Sequence, residues 1–230
     1  MNNLSRLLQE IKYNPRMYLD KPSISCLHSF LNGYISERIN LKLEQETSGI
    51  EGFQEWIQER AKTQVSQSWA GILIFTCGSE RSAFYSFFEL FEKFLSQNNS
   101  SKEQESESKE KSRELKDNLS FRQFDIYSQL LGSIRKRPGM YLGTSSITRL
   151  DMLLRGYSLA RREVGIPPTE EEREFEDFQA WIQKRYGINS GQSWAKIILF
   201  FSMDEHEALE RFFELFEEFL NQDKRMFEKF

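Results

Sequence analysis

Few residues of this 230-residue chain have the type and spacing that catalysis needs. Glu89 and Glu92 stand three positions apart, which places two carboxylates on one helix face where they could share acid–base chemistry. The same pair lies on the helix with the strongest apolar face, and the pattern favours the narrow solvent-exposed stripe of that amphipathic helix. The sequence has no Gly-x-Ser-x-Gly motif and no phosphate-binding Gly-rich loop. We therefore expect no catalytic, cofactor-binding or metal-ligating residue, and a protein that is not an enzyme.

An internal repeat tests each candidate residue against a second copy. Residues 4–40 align with 127–163 at an offset of 123, and residues 53–97 align with 178–222 at an offset of 125. About 38 of the 82 aligned pairs are identical, and a fixed offset is the signature of a duplicated unit. The two-residue difference falls in a polar stretch between the aligned blocks, where a surface loop tolerates insertions.

The duplication predicts two domains of roughly 95 residues each, a size that can close its own core. We place the first repeat domain at residues 1–97 and the second at 121–230. Residues 98–120 between them are rich in Ser, Glu and Lys and contain no aromatic residue. Such a composition is typical of a tether, because it cannot bury enough apolar surface to order itself. Its mixed charge could also support a partial solvated helix.

The cysteines and histidines are not shared by the two repeats. The positions equivalent to Cys26, Cys77, His28 and His206 hold Arg149, Ser202, Asp151 and Arg81. A disulfide or metal site that the fold requires should occur in both repeats, and the histidines do not cluster at metal-ligand spacing. We expect two reduced, buried or half-buried thiols, as is usual in a reducing compartment.

Composition and charge narrow the classes of partner. The chain has 31 basic and 35 acidic residues, for a net charge of −4 spread evenly along it, which argues against a nucleic-acid partner. No stretch of about 18 apolar residues exists, so the sequence predicts no membrane span. The N-terminal residues lack the pattern of a signal peptide, and we expect a cytoplasmic protein.

The hydrophobic pattern predicts a mainly α fold, duplicated in tandem. Apolar residues recur at helical spacing at the start of each repeat, at Leu4, Leu7, Leu8 and Ile11 and at Tyr127, Leu130, Leu131 and Ile134. A proline then ends this first helix, and Ser23 or Ser146 is a plausible N-cap for the second. A variable acidic loop is predicted next, followed by a third helix, FQEWIQER or FQAWIQKR.

Two further segments complete each repeat. The strings SWAGILIF and SWAKIILF fit a helix but also a short buried strand, so an α+β fold stays open as the alternative. The last helix is apolar over more than half its circumference, and Ser202 and Glu205 stand at capping-box spacing before it. The four tryptophans all pair between the repeats on apolar faces, which predicts core positions for Trp56, Trp69, Trp181 and Trp194.

The string IRKRPGMYLG at residues 134–143 resembles the opening motif of the ATPase family to which DNA gyrase belongs. The resemblance covers about ten residues. In that family the next helix carries a catalytic Glu and a magnesium-binding Asn, but here Arg155, Gly156 and Tyr157 stand in that region. No Asp-x-Gly-x-Gly follows for the adenine, and the first repeat lacks the string, so we reject an ATPase.

The shared Pro-x-Met-Tyr-Leu segment has two interpretations. In the first, the proline ends the helix and the next three apolar side chains pack into the core, namely Met17, Tyr18 and Leu19 in the first repeat and Met140, Tyr141 and Leu142 in the second. In the second, the two tyrosines keep their hydroxyls at the surface and contact a partner. Tyr18 and Tyr141 are therefore candidate partner-binding residues.

Polar residues shared by both repeats supply the other candidates, because packing alone does not require them. Gln54 and Gln58 lie on one helix face at i and i+4, with Arg60 beside them, and could form a recognition strip. Their equivalents are Gln179, Gln183 and Arg185. The basic triplet Arg135, Lys136 and Arg137 corresponds to Lys12, Tyr13 and Asn14, so we interpret it as a candidate contact patch of the second repeat alone.

The whole repeat resembles a group of small bacterial domains with the pattern R-P-x-M-Y-L-G, G-Y, F-x-x-W-I, S-W-x-x-I and F-F-E-L. Both repeats fit, except that Asn14 and Asp20 replace the Arg and the final Gly in the first. Domains of this kind resemble the immunity proteins of bacterial toxin–immunity systems. The resemblance implies a tandem, non-enzymatic protein-binding module whose partner is a toxin.

Three functional hypotheses therefore remain from the sequence. The first is the immunity protein, whose mildly acidic surface would suit a basic toxin. The second is a regulatory module that binds a small ligand or nucleotide between helices. The third is a structural assembly protein, in which the apolar surplus of the last helix serves repeat–repeat or homodimer packing.

Overall fold

The computed structural model describes residues 3–43, 49–102 and 129–227. Within these ranges every regular element is a helix and no β-strand occurs, which confirms the mainly α prediction. The first six helices are α1 (Asn3–Tyr13), α2 (Pro15–Tyr18), α3 (Ile24–Asn40), α4 (Phe53–Arg60), α5 (Trp69–Cys77) and α6 (Glu80–Lys102). The next six are α7 (Leu131–Lys136), α8 (Pro138–Leu142), α9 (Ile147–Glu163), α10 (Glu170–Tyr186), α11 (Trp194–Phe200) and α12 (Glu205–Phe227).

The chain divides into two compact units. Unit 1 comprises Met1–Gln123 together with Arg155–Ala160, and unit 2 comprises Phe124–Leu154 with Arg161–Phe230. Of the predicted linker, residues 98–102 form the end of α6, and residues 103–120 lie outside the described part of the chain.

Helix α6 organises the core of unit 1. Its buried face consists of Ala83, Phe84, Phe87, Phe88, Phe91 and Phe94, and α3, α4 and α5 all contact it. Phe53 of α4 is fully buried and meets the rings of Phe87, Phe91 and Phe94 edge-on, with centroids 5.3 to 5.4 Å apart. Edge-to-face pairs of this kind add to the free energy gained by burying the rings themselves.

The core of unit 2 uses the same residue types around α12. Phe178 of α10 is fully buried and lies 5.8 Å from Phe212, 5.3 Å from Phe216 and 5.5 Å from Phe219, centroid to centroid. Trp194 of α11 is buried against Phe212 at 4.7 Å. Trp69 is likewise buried, whereas Trp56 and Trp181 are half-buried, so the core prediction is right for two of the four tryptophans and too strong for the others.

The segments SWAGILIF and SWAKIILF are helical, which removes the strand alternative for these residues. Ser68 and Ser193 are the N-caps of α5 and α11, and their hydroxyls accept hydrogen bonds from the backbone of Gly71 and Lys196. The apolar run is continuous in sequence, but only the positions at helical spacing, such as Ile72 and Leu73, are buried.

Two local predictions are wrong. The acidic stretch of the second repeat is not a loop, since α10 begins at Glu170 behind a capping box formed by Thr169 and Glu172. Ser202 and Glu205 form no capping box; instead Asp204 accepts hydrogen bonds from the backbone N–H groups of His206 and Glu207 at 2.9 Å. Glu205 is used elsewhere, as described below.

No helix in the described residues is long and apolar enough to cross a membrane.

Candidate protein-binding surface

A glutamate carboxylate that recurs in both units joins the last helix of each unit to the N-terminus of another helix, α3 in unit 1 and α9 in unit 2. Glu80 of α6 accepts hydrogen bonds from the Ser23 hydroxyl at 2.7 Å, the Ser25 hydroxyl at 2.6 Å and the Ser25 backbone N–H at 3.0 Å. Glu205 repeats the arrangement in unit 2 with Ser146 and Thr148. Because the carboxylate also faces the positive end of a helix dipole, this cluster stabilises the fold. Sequence analysis missed it, although Ser-x-Ser, Ser-x-Thr and the glutamate are visible in the repeats.

Of the two glutamates that stand three positions apart in the last helix of the first repeat, Glu92 lies in an ion pair, as does its equivalent Glu217. Lys12 Nζ is 2.9 Å from Glu92, and Arg135 contacts Glu217 at the equivalent place. The Arg135 hydrogen bond lowers the pKa of the Glu217 carboxyl from its ordinary value. A general acid needs the opposite, a raised pKa, so this geometry favours a carboxylate that stays ionised. Lys12 and Arg135 also lie over the rings of Phe88 and Phe213, which makes the first cation of the basic triplet a position common to both units.

The predicted glutamine strip is used to hold the chain's own backbone. Gln54 accepts from the Trp69 N–H at 2.6 Å and donates to the Gln67 carbonyl at 3.0 Å, and Gln58 donates to the Val65 carbonyl at 3.0 Å. Gln179 and Gln183 make the same contacts with Trp194, Gln192 and Ser190. These amides fix the loop between α4 and α5 in unit 1 and the loop between α10 and α11 in unit 2, and the loop of unit 1 borders the groove described below.

The two arginines beside the glutamines lie over tryptophan rings. The guanidinium of Arg60 is 5.5 Å from the Trp56 ring centroid, and that of Arg185 is 5.9 Å from Trp181. Arg185 also pairs with Glu218 at 3.1 Å. Both arginines are exposed, so each presents a charged edge above an aromatic face.

The remaining sequence-predicted residues lie around the second and eighth helices. Tyr18 is half-buried and its hydroxyl donates to Glu10, while Tyr141 is also half-buried. Lys136 and Arg137 are exposed. Arg135 borders a pocket of about 220 Å³ floored by Leu131, Phe213 and Phe216.

The methionines of the Pro-x-Met-Tyr-Leu segment do not pack into the core. Met17 is 77% exposed and Met140 is 71% exposed, whereas Leu19 and Leu142 are buried. In a helix of only four or five residues after the proline, Met and Leu two positions apart point to opposite sides. The core interpretation therefore holds for the leucines, is wrong for the methionines, and is too strong for the half-buried Tyr18 and Tyr141.

A second matched pair of apolar side chains lies in solvent. Phe75 of α5 is 89% exposed and Phe200 of α11 is 77% exposed. Sequence analysis missed these residues, although a signal existed. Trp69, Ile72 and Leu73 mark the buried face at i, i+3 and i+4, and Phe75 at i+6 falls off that face.

Phe75 forms the rim of an apolar groove of about 490 Å³ in unit 1. The groove lies between α5 and the loop that follows α4, with buried Ile72 as its floor and exposed Val65 on its opposite rim. Ala61, Gly71 and Thr76 contribute small side chains to its walls, and Thr63 and Gln67 complete the lining. The Thr76 hydroxyl donates to the backbone carbonyls of Ile72 and Leu73, so it presents its methyl side rather than a free donor.

Comparison with models of protein families, with curated proteins and with solved structures finds no match to this chain. In the described residues, no three His, Cys, Asp or Glu side chains are grouped as a metal site would require. The exposed apolar residues and the groove are therefore the features of the described residues that point to a function.

Proposed function

We propose that this chain is a non-enzymatic protein-binding module whose partner is a bacterial toxin that it neutralises in the cytoplasm. The observation that carries the proposal is the exposure of Phe75 and Phe200 at equivalent positions, together with Met17 and Met140. Scattered single apolar residues are ordinary at a protein surface. Four large ones that recur at the repeat offsets are not explained by packing within the units.

The types of the exposed residues support a protein partner. Phe and Met are enriched at protein interfaces, where charged residues are depleted. Methionine adapts to irregular partner surfaces, and a rigid aromatic ring can anchor in a partner's pocket. Neither property benefits a side chain that stays in water.

Two observations support a toxin as the partner: the resemblance of the repeats to immunity domains and the net negative charge of the chain. A net charge of −4 is compatible with attraction to a basic partner, because complementary charge raises association rates. The exposed arginines on tryptophan rings, Arg60 and Arg185, would lie at the rim of such an interface rather than at its centre.

The test uses the C-terminal domain encoded by the gene immediately upstream of this one. That domain is induced in cells with and without this chain, and growth is measured. We expect growth arrest without the chain and recovery with it. A domain that is not toxic, or a chain that restores no growth, would contradict the proposal.

A matched set of variants then locates the surface. The double variant Phe75→Ala and Phe200→Ala removes both shared exposed rings, and we expect it to lose protection. Tyr85→Ala removes an exposed aromatic residue whose equivalent is Glu210, and we expect it to protect as the unchanged chain does. Because all three residues are exposed, none of the changes should unfold the chain.

A further inference from the structure

The place that forms an open groove in unit 1 is filled in unit 2. The equivalents of Ala61, Gly71 and Thr76 are Tyr186, Lys196 and Phe201. The Tyr186 ring stacks on Phe201 with centroids 4.6 Å apart and planes at 17°. Phe201 in turn meets Phe200 edge-on at 5.1 Å. Unit 2 thus shows which group the surface holds when it is occupied.

The ring of Tyr186 is held by more than stacking. Its hydroxyl accepts a hydrogen bond from Arg211 Nε at 3.4 Å, and this bond raises the pKa of the Arg211 guanidinium. Phe201 remains 44% exposed, so the pair covers the surface without closing a core around it. The filled site therefore consists of one tyrosine ring laid on an aromatic platform at the end of α11.

In unit 1 a glycine keeps one wall of the open site small. Gly71 lies in the first turn of α5, where its N–H donates to the Ser68 hydroxyl, and its φ is not in the positive region that would require glycine. A Cβ at this position would lie 3.3 Å from Gln67 Oε1 at the edge of the groove. The glycine keeps that wall of the groove open, which the helix itself does not need.

The dimensions suit an aromatic side chain. A volume of about 490 Å³ lies within the roughly 300–1,000 Å³ usual for binding pockets. Ile72, Val65 and Phe75 line the groove with apolar side chains. The exposed Phe75 ring is available to a second ring in the way that its equivalent in unit 2, Phe200, meets Phe201 edge-on.

We propose that the groove of unit 1 receives a tyrosine or phenylalanine side chain from the protein partner, in the space that the Tyr186–Phe201 pair takes in unit 2. This inference rests on the proposed function. It assigns the aromatic-accepting role to the first repeat, because in the second repeat the chain's own Tyr186 occupies the site.

The first experiment needs no partner and uses p-cresol, the side chain of tyrosine, as the probe. The full chain is titrated while the amide resonances of Ile72 and Phe75 are followed by NMR. We expect saturable shifts at these residues. Shifts that are absent, or that fall only in unit 2, would overturn the proposal.

Substitutions that copy one repeat into the other supply the variants. The double variant Ala61→Tyr and Thr76→Phe rebuilds the stacked pair of unit 2 inside unit 1, and we expect p-cresol affinity to fall at least about tenfold. Gly71→Lys also introduces the residue of unit 2, and it should weaken binding without unfolding the chain. Gln64→Asn makes the same kind of exchange at an exposed position outside the groove and should leave the titration unchanged. The double variant Ala61→Tyr and Thr76→Phe is called the filled variant below. If it bound p-cresol as tightly as the unchanged chain does, the inference would be overturned.

The growth assay separates this inference from the proposed function. If the unchanged chain protects and the filled variant does not, both stand. If both protect equally, the partner's aromatic side chain is not in the groove, whereas the proposed function survives. If the unchanged chain gives no protection, the proposed function is refuted. The inference that a partner's aromatic side chain enters the groove is then refuted as well, even if p-cresol binds.

Discussion

The polar residues that both repeats share act mainly on the backbone of the chain itself. Gln54 and Gln179 each clamp the start of a helix through a 2.6 Å hydrogen bond, and Glu80 and Glu205 each gather three donors. The repeat alignment marks the glutamines as shared polar residues, but it does not show that they bind the backbone of the chain itself. A side-chain amide bound to a backbone carbonyl some 13 residues away leaves no local pattern.

The glutamate clusters lead to a prediction about stability. Glu80→Ala or Glu205→Ala removes the acceptor of two hydroxyls and one backbone N–H, and hydrogen bonds to a charged group are worth about 1.5–3 kcal/mol. We expect each change to lower the free energy of unfolding by about 2 kcal/mol, measured by urea denaturation. Glu89→Ala, at an exposed position of α6, should change it by less than about 0.5 kcal/mol. Equal effects at Glu80 and Glu89 would refute the structural role.

The two cysteines lead to a prediction about reactivity. Cys26 is buried, and burial raises the pKa of its thiol, so it stays protonated and shielded; Cys77 is half-exposed. At about pH 8 we expect iodoacetamide to modify Cys77 at least about tenfold faster than Cys26 in the native chain, as read by mass spectrometry. Denaturant should remove the difference. Comparable native rates would show that Cys26 is accessible.

At the scale of the helix, the two units differ in how helices end. The last turns of α3, α4, α9 and α10 all close with a residue of positive φ, and these residues are Lys42, Lys62, Gly165 and Gly187. In each case the backbone N–H of the following residue bonds to a carbonyl five residues earlier, as in a Schellman motif. Unit 2 uses glycine at both places, whereas unit 1 uses lysine.

This difference predicts that unit 1 can be stabilised by exchange with its counterpart. A non-glycine residue in the left-handed region costs about 1–2 kcal/mol, partly offset by the extra unfolded-state freedom of glycine. Lys42→Gly and Lys62→Gly should each raise the free energy of unfolding by about 0.5–1 kcal/mol, measured by thermal and urea denaturation. Gly165→Lys and Gly187→Lys should lower it by a similar amount. A loss of stability in the lysine-to-glycine variants would refute this account of the caps.

Apolar spacing predicts that the helices exist, but it does not always predict the residue at which a helix begins. The spacing of Trp69, Ile72 and Leu73 fits a helix, but the continuous apolar run around them left a strand open as the alternative for α5. Helix α10 begins about two turns earlier than predicted. Its first turns are almost entirely acidic and show no apolar period, so only the Thr169–Glu172 capping box marks the start. Ser202 and Glu205 had the spacing of a capping box, but Asp204 caps the helix and Glu205 faces Ser146 instead.

For the whole molecule, the mainly α class followed from hydrophobic periodicity, and the candidate surface did not. Phe75 and Met17 look like core residues by type, and a sequence pattern does not say which apolar residues remain in water. The groove could not be predicted from the sequence either. It is open because Ala61 and Thr76 have small side chains where unit 2 has the aromatic rings of Tyr186 and Phe201. Only the three-dimensional comparison of the two units shows one site filled and the other empty of side chains.

The most direct measurement is isothermal titration of the full chain with the purified domain encoded upstream. We predict a stable complex of one partner per chain, because the aromatic-accepting groove is open in unit 1 and filled in unit 2. Phe75→Ala should weaken it at least about 30-fold, the effect of losing an interface anchor of about 2 kcal/mol, while Tyr85→Ala leaves it unchanged. No complex with the unchanged chain, or equal affinity for Phe75→Ala, would contradict the account.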